Sequence, residues 1–390
     1  MNHQFESGKN SEHMSKKRRT RQRLDPSMYL RSIYVEKSCG DDPYVAEIVE
    51  RAGLGSTLIS EKDMRSLLDG EYPATLNEGK KTLLLCRNYG EFLKDCPGTR
   101  GYRCCDYRVI NVGLGCPMDC VYCILQAYLN NPYLSFFINV EDLFAELRKK
   151  LDRFDGRVMR IGTGEFTDSM ALDRITGMSR RLVEFFGKQK KGVLELKTKS
   201  AYVDNLEGLK HGNRTIVAWS LNSEYIVRSQ EIRAASIDQR LQAASQCLEW
   251  GYDCAFHFDP IIAYPGWEDG YHEVVSTLFE KIPADRIRWI SLGAFRYLPA
   301  LKKIAAERFP QSQIFHHEFI EGMDDKIRYF RFLRVKLYKK IYHEIRNRCD
   351  PRTCIYFCME SDEVWRDVMG YTPEEKGGIP AMLDRTVLRR

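Results

Sequence analysis

The sequence predicts an α/β protein: a parallel sheet with crossover helices, set between a small N-terminal α/β section and a C-terminal helical extension. Three observations point there. From residue 106 onward, strand-like runs at 107–112, 157–162, 193–198, 215–220, 254–259 and 287–292 alternate with helical patterns at 140–151, 170–187, 237–250 and 271–281. Ahead of them, residues 24–105 carry only short runs of both kinds, and behind them 324–348 repeats apolar residues at spacings of three and four. Alternation of strand and helix implies parallel pairing, because each return to the sheet needs a crossover.

In order along the chain, residues 1–23 form an arm with KKRRTRQR at 16–23, expected to be disordered. Ile33–Glu36 reads as a short strand, and Asp41 or Asp42 is placed to cap a helix that turns Val45, Ile48 and Val49 inward. KTLLLC at 81–86 reads as a second strand. The alternating section is assigned to 106–320 and the basic extension to 321–390. There, Ile327, Phe330, Leu333, Leu337, Ile341 and Ile345 are expected to form one buried helical stripe. Arg328, Arg331, Lys339 and Arg346 lie off that stripe.

With 390 residues, 43% hydrophobic and 29% charged, the composition is that of an ordinary soluble protein. No apolar run approaches the ~20 residues that span a bilayer, and the polar, then basic start lacks the apolar core of a signal peptide. No membrane association and a cytoplasmic location are the expectations, with the thirteen cysteines as thiols or cluster ligands. Net charge is +6, and residues 324–348 hold nine Lys/Arg against three acids. The arm and this segment suit a polyanion such as nucleic acid. The plainer alternative is a solubilising tail and a solvated helix face.

Six of the cysteines crowd into residues 96–123, and three of them stand in Cys116-Pro-Met-Asp-Cys120-Val-Tyr-Cys123. This CxxxCxxC spacing lets one loop place three sulfurs on three irons of a [4Fe-4S] cubane, leaving one iron without a protein ligand. An electron-transfer cluster is usually closed by a fourth cysteine. A zinc site would pair the loop with a second knuckle, and none of matching form is present. The loop, with the aromatic Tyr122 before the last cysteine, resembles that of the radical S-adenosylmethionine (SAM) superfamily. The resemblance implies SAM on the open iron, one-electron cleavage to methionine and a 5′-deoxyadenosyl radical, and an electron donor such as flavodoxin or ferredoxin. It sharpens the fold to a partial (β/α)6 barrel over 106–320, with the active site at the C-terminal ends of the strands.

Residues 33–53, Lys199 in LKTKSAYVDNL, WSLNSEYI (219–226), PIIAYPGWEDGY (260–271) and SLGAFRYLPALKKIAAERFP (291–310) are together similar to the spore photoproduct lyase family. That family repairs a thymine dimer in ultraviolet-irradiated DNA. The adenosyl radical removes a hydrogen from the lesion, the inter-base bond breaks and a cysteine thiol returns a hydrogen. By position, Lys199, Ser220 and Asn222 match residues that hold SAM, and Thr167 stands where a serine also contacts it. Arg296 and Tyr297 match an arginine and an aromatic near the lesion pocket.

Two departures stand out. Glu165 in GTGEFTD occupies the place of the hydrogen-donating cysteine, and a carboxylic O–H is too strong to replace S–H. Ile124 stands where the family has a tyrosine in a radical relay. Glu165 also matches the GGE-like motif by which radical SAM enzymes bind the amino group of SAM. On strand 254–259, alternation turns Cys254 to one face and His257 with Asp259 to the other. His257 reads as a substrate contact or proton donor, or as a satisfied core histidine. Cys349, Cys354 and Cys358 either ligate an auxiliary cluster or pack around a buried strand. Either they or Cys96, Cys104 and Cys105 could supply the missing donor.

The reading is a radical SAM enzyme acting on DNA pyrimidine photolesions. Its alternatives are the same chemistry on RNA, peptide or metabolite, and a non-catalytic iron–sulfur sensor that binds nucleic acid.

Overall fold

The computed structural model describes residues 25–60, 63, 67–68, 70–96 and 101–387, so the basic arm lies outside the described residues. Asp42 accepts the Tyr44 N–H at 2.9 Å and opens helix Pro43–Ala52, which Gly53 closes in the left-handed conformation. This helix covers a sheet begun by β1 (Ser32–Glu36), β2 (Ser56–Ile59) and β3 (Thr82–Cys86). The chain then starts a second sheet with β4 (Leu93–Asp95) and β5 (Arg108–Ile110). It forms β6 (Gly113–Leu114) and β7 (Asp119–Cys120) around the cysteine loop, and returns to the first sheet as β8 (Leu134–Phe137). The first sheet has the order β2-β1-β3-β8-β6. It therefore draws on both sides of the boundary expected at 105/106, and the cysteine loop is held between the two sheets.

The second sheet continues with β9 (Met159–Gly162), β10 (Gly192–Thr198) and β11 (Thr215–Ser220). A two-residue strand, β12 (Glu231–Ile232), leaves it to pair antiparallel with β7, and β13 (Asp253–Ile261) and β14 (Ile287–Ala294) complete the six expected strands. Each is parallel to its neighbour, with helices Val140–Arg153, Met178–Phe186, Ile237–Glu249 and Trp267–Lys281 among the crossovers. β10 and β11 are almost wholly buried, as strands covered on both faces must be. The expected partial barrel is present. A three-stranded antiparallel sheet of β15 (Arg296–Tyr297), β16 (Phe319–Glu321) and β17 (Ile327–Tyr329) lies beyond β14, and β18 (Cys354–Phe357) adds a seventh parallel strand against it.

Two elements differ from expectation. The helix expected over 170–187 is two, Asp173–Thr176 and Met178–Phe186, separated by Gly177 at φ +60°. The basic helix begins at Arg331, not 324, because Gly322 and Lys326 close a turn between β16 and β17. Ile327 therefore lies on a strand and Phe330 is 54% exposed. The buried face is carried by Arg334, Leu337, Tyr338, Ile341 and Ile345. Arg328 is buried on Asp324 and stacks at 4.3 Å from the Tyr102 ring. Arg346 is turned to the carbonyls of Cys349, Thr353 and Asp350. Neither is placed to meet a phosphate.

Candidate active site

A cavity of about 390 Å³ opens at the C-terminal ends of the parallel strands. The parallel strands from β9 onward each send it residues: Glu165 beyond β9, Lys199 after β10, Ser220 from β11, His257 and Asp259 from β13, Arg296 beyond β14 and Cys358 after β18. The cysteine loop forms another part of the wall, with Cys116, Cys120, Tyr122, Cys123 and Ile124 all lining the space. Of the site residues expected from sequence, Thr167 lines it too, but Asn222 and Tyr297 do not. The Asn222 amide donates to the Pro260 carbonyl at 2.8 Å and accepts from Tyr271 at 2.6 Å, 1% exposed. Tyr297 is buried in an aromatic cluster, stacked 5.2 Å from Phe295 and edge-on to Phe315 and Phe319. Strand alternation explains that placement, since it sends Arg296 and Tyr297 to opposite faces.

The loop is fixed through its backbone by residues that no sequence pattern singles out. Lys80 donates to the carbonyls of Cys116 at 3.1 Å and Met118 at 2.7 Å, and the Gln126 amide to those of Cys120 and Val121. Arg233 reaches the Pro117 carbonyl at 3.2 Å, and Asp119 is held by Arg308 at 2.9 Å. Its three sulfurs are thereby presented on one wall, and none is in a disulfide. Burial pushes the Cys116 thiol well up and Cys120 up to about 12, Lys199 opposing the latter. Thiolates at these positions need a cationic partner, which iron supplies. The donor set therefore fits an iron–sulfur cluster with three protein ligands.

Behind the loop, Glu231 is a buried hub. It accepts hydrogen bonds from the Tyr122 hydroxyl and the Arg240 guanidinium and lies 4.0 Å from the Lys199 ammonium. Burial opposes its ionisation, but Arg240, Lys199 and the Tyr122 hydroxyl outweigh it and hold the carboxyl below its usual range. Lys199 also stands 5.5 Å from the Tyr122 ring. Tyr122 is thus oriented by Glu231 while its ring stays at the cavity.

Opposite charges fill the rest of the wall. Glu165 pairs with Lys197 at 2.5 Å, and Gly164 makes this approach possible: a Cβ there would lie 3.0 Å from the Lys197 Cβ. Asp168 accepts the N–H groups of Met170 and Ala171 at 2.9 Å and of Lys199 at 2.8 Å, tying the Glu165 turn to the end of β10. The Thr-Asp-Ser run at 167–169 is the turn signal that could have marked it. His257 bonds Ser291 at 2.6 Å through Nδ1 and Glu195 at 2.8 Å through Nε2. Glu195 also accepts from the Trp289 indole at 2.9 Å. Burial works against its charge, yet His257 and Lys197 hold its pKa down to about 2. Both readings of His257 meet in this arrangement, since it is buried and fully partnered while lining the cavity.

Arg296 and Asp259 pair at 3.3 Å, and the Arg296 guanidinium stands 3.5 Å from the Cys358 sulfur. Cys96 and Cys105 line the same space, whereas Cys349 and Cys354 do not. Cys254 faces the outer helix, its thiol 3.8 Å from the Ala244 carbonyl, as strand alternation predicts.

Comparison with known proteins gives a consistent picture. The family model for spore photoproduct lyase matches residues 101–358. The chain is 29% identical over 238 residues to the spore photoproduct lyase of Geobacillus sp. (strain Y412MC61), covering 60% of this chain and 68% of that protein. It is 27% identical to that of Bacillus subtilis (strain 168) over 233 residues, 59% of this chain and 66% of the relative. A solved variant of spore photoproduct lyase with bound AdoMet and dinucleoside spore photoproduct superposes with a TM-score of 0.75 at 24% identity. That match covers 84% of this chain and 99% of the other.

Proposed function

The chain belongs to the spore photoproduct lyase family and is a radical SAM enzyme, and from that membership we propose that it repairs pyrimidine photolesions in DNA. The observation that carries the reading is the convergence of Cys116, Cys120 and Cys123 with Glu165, Lys199 and Ser220 on one cavity at the C-terminal ends of the strands. Cys116, Cys120 and Cys123 would hold a [4Fe-4S] cluster, with SAM on the iron they leave open. When bound, the pair supplies a 5′-deoxyadenosyl radical on receipt of one electron.

This chain's residues bind and orient. Lys199 offers a cation to the SAM carboxylate and Glu165 an anion to its amino group, with Thr167 and Ser220 as hydrogen-bond partners. Glu165 would exchange its Lys197 partner for the ligand, a trade of one ion pair for another. Arg296, half-neutralised by Asp259, is placed to meet lesion phosphate or base, and His257 can give or take a proton through Ser291. A reduced, cytoplasmic setting and an electron donor of the flavodoxin or ferredoxin class belong to the same reading.

A second reading keeps the chemistry and changes the substrate. Glu165, where relatives carry the donor thiol, is the observation that favours it.

Anaerobic reconstitution tests the cofactor assignment. The wild-type chain should take up iron and sulfide to give a reducible cluster whose EPR signal changes on adding SAM. Cys120→Ala should lose the cluster, and Lys199→Ala should keep it with weakened SAM binding. A cluster that forms normally in Cys120→Ala would refute the ligand set.

A further inference from the structure

The thiol that lesion repair needs, and that Glu165 cannot supply, stands elsewhere in the same cavity. Besides the three loop cysteines, Cys96, Cys105 and Cys358 line it. They are held differently. Cys105 lies on the irregular stretch before β5, its carbonyl held by Arg160. Cys96 follows edge strand β4, fixed by its N–H on the Tyr107 carbonyl at 2.9 Å. Cys358 follows the seventh parallel strand, its N–H bonded to the Leu292 carbonyl at 2.9 Å. β4 runs antiparallel to β5 and leaves Cys96 beside Tyr107 at the start of the parallel strands, whereas β18 runs with them and leaves Cys358 at the C-terminal ends that carry the site. The Cys358 sulfur also touches Arg296, the residue matched to the lesion pocket.

We propose that Cys358 is the hydrogen-atom donor of this enzyme. The proposal rests on the lesion-repair reading above and adds to it the residue that completes the reaction. Burial pushes the Cys358 thiol up to about 12, against a smaller opposing effect of Arg296, so the sulfur keeps its hydrogen at neutral pH. A thiolate would have no hydrogen atom to give.

The S–H bond of Cys358 breaks as a C–H bond forms on the thymine carbon radical left when the inter-base bond opens. One proton and one electron move together, and a thiyl radical remains on Cys358. An electron from a one-electron carrier of the ferredoxin or flavodoxin class, with a proton from solvent, restores the thiol.

Two experiments test the assignment. The first needs no cofactor: a dithymidine carrying a trifluoromethyl diazirine on one thymine methyl is irradiated with the protein, and modified peptides are mapped. An adduct at Cys358 is expected, because the carbene inserts into an S–H bond without needing a thiolate. The second uses cluster-loaded enzyme, SAM, dithionite and spore photoproduct dinucleoside in D2O. Wild type should release thymines bearing a single deuterium from the exchanged thiol. Cys358→Ala should still form 5′-deoxyadenosine, which shows it folded and loaded, but lose the restored thymines. Cys96→Ala should keep both. Labelled thymines at the wild-type level from Cys358→Ala, or capture only at Cys96 or Cys105, would overturn the donor assignment and leave the repair reading standing. Wild type that makes 5′-deoxyadenosine but leaves the lesion intact would overturn both.

Discussion

Glu195 and Asp168 show how much of this site is held by charges with no direct part in the chemistry. Glu195 is buried beneath the cavity with His257 on one oxygen, its pKa depressed to about 2 from an ordinary 4.5. A carboxyl depressed on folding contributes stability that is fully present above about 4.5 and is lost as pH falls toward 2. The shift corresponds to stabilisation on the order of 3 kcal/mol at neutral pH. Glu195→Gln should therefore unfold more easily at pH 7, and the gap to wild type should close on acidification. Chemical denaturation at a series of pH values measures this, and parallel curves would contradict it. Asp168 carries only the turn signal of residues 167–169, and no pattern in the sequence marks Glu195 as a site residue. Glu195 alternates with apolar neighbours inside a strand, and its partners His257 and Trp289 are 62 and 94 positions away. Cys116, Cys120 and Cys123 are legible because a cluster loop carries its chemistry in local spacing, whereas Lys199 stands out only through the family resemblance.

Among the elements, the strands of the half-barrel follow their sequence patterns closely, since runs such as 193–198 and 215–220 are buried on both faces. The turns between strand and helix decide where the functional groups go. Gly164 is the clearest instance: a Cβ there would meet Lys197 at 3.0–3.2 Å, closer than ordinary contact, and the next residue is Glu165. Gly164→Ala should displace Glu165 and lower SAM-dependent turnover by up to about 100-fold, the scale of an ångström of misplacement. The melting temperature should move little. An unchanged turnover would remove Glu165 from the SAM site. The basic C-terminal helix departs furthest from its sequence pattern. Apolar residues at 327 and 330 continue the helical spacing by coincidence, but the turn at Gly322–Lys326 makes 327–329 a strand and buries Arg328. The sequence shows the spacing, and only the tertiary pairing of β15, β16 and β17 overrides it.

At the scale of the whole molecule, the positive charge of the C-terminal region divides into structural and exposed shares. Arg328 and Arg334 are buried on Asp324 and Glu360, while Arg331 and Lys339 are exposed. Arg328→Ala should destabilise the fold by about 1–3 kcal/mol, because the buried Asp324 carboxylate loses its charge-assisted hydrogen bond and keeps Lys326. It should leave the salt dependence of DNA binding unchanged. Lys339→Ala should instead lower the slope of log affinity against log salt by about 1, with no loss of stability. The reverse pattern would place the DNA on another face. Seven parallel strands converge on one cavity, and the family assignment gives that convergence its meaning. The most direct test follows 5′-deoxyadenosine and intact thymines together, in anaerobic, cluster-loaded enzyme with SAM and dithionite, with and without DNA containing the spore photoproduct. The account predicts adenosine product accompanied by restored thymines. A cluster shown intact that yields no 5′-deoxyadenosine in either sample would contradict it.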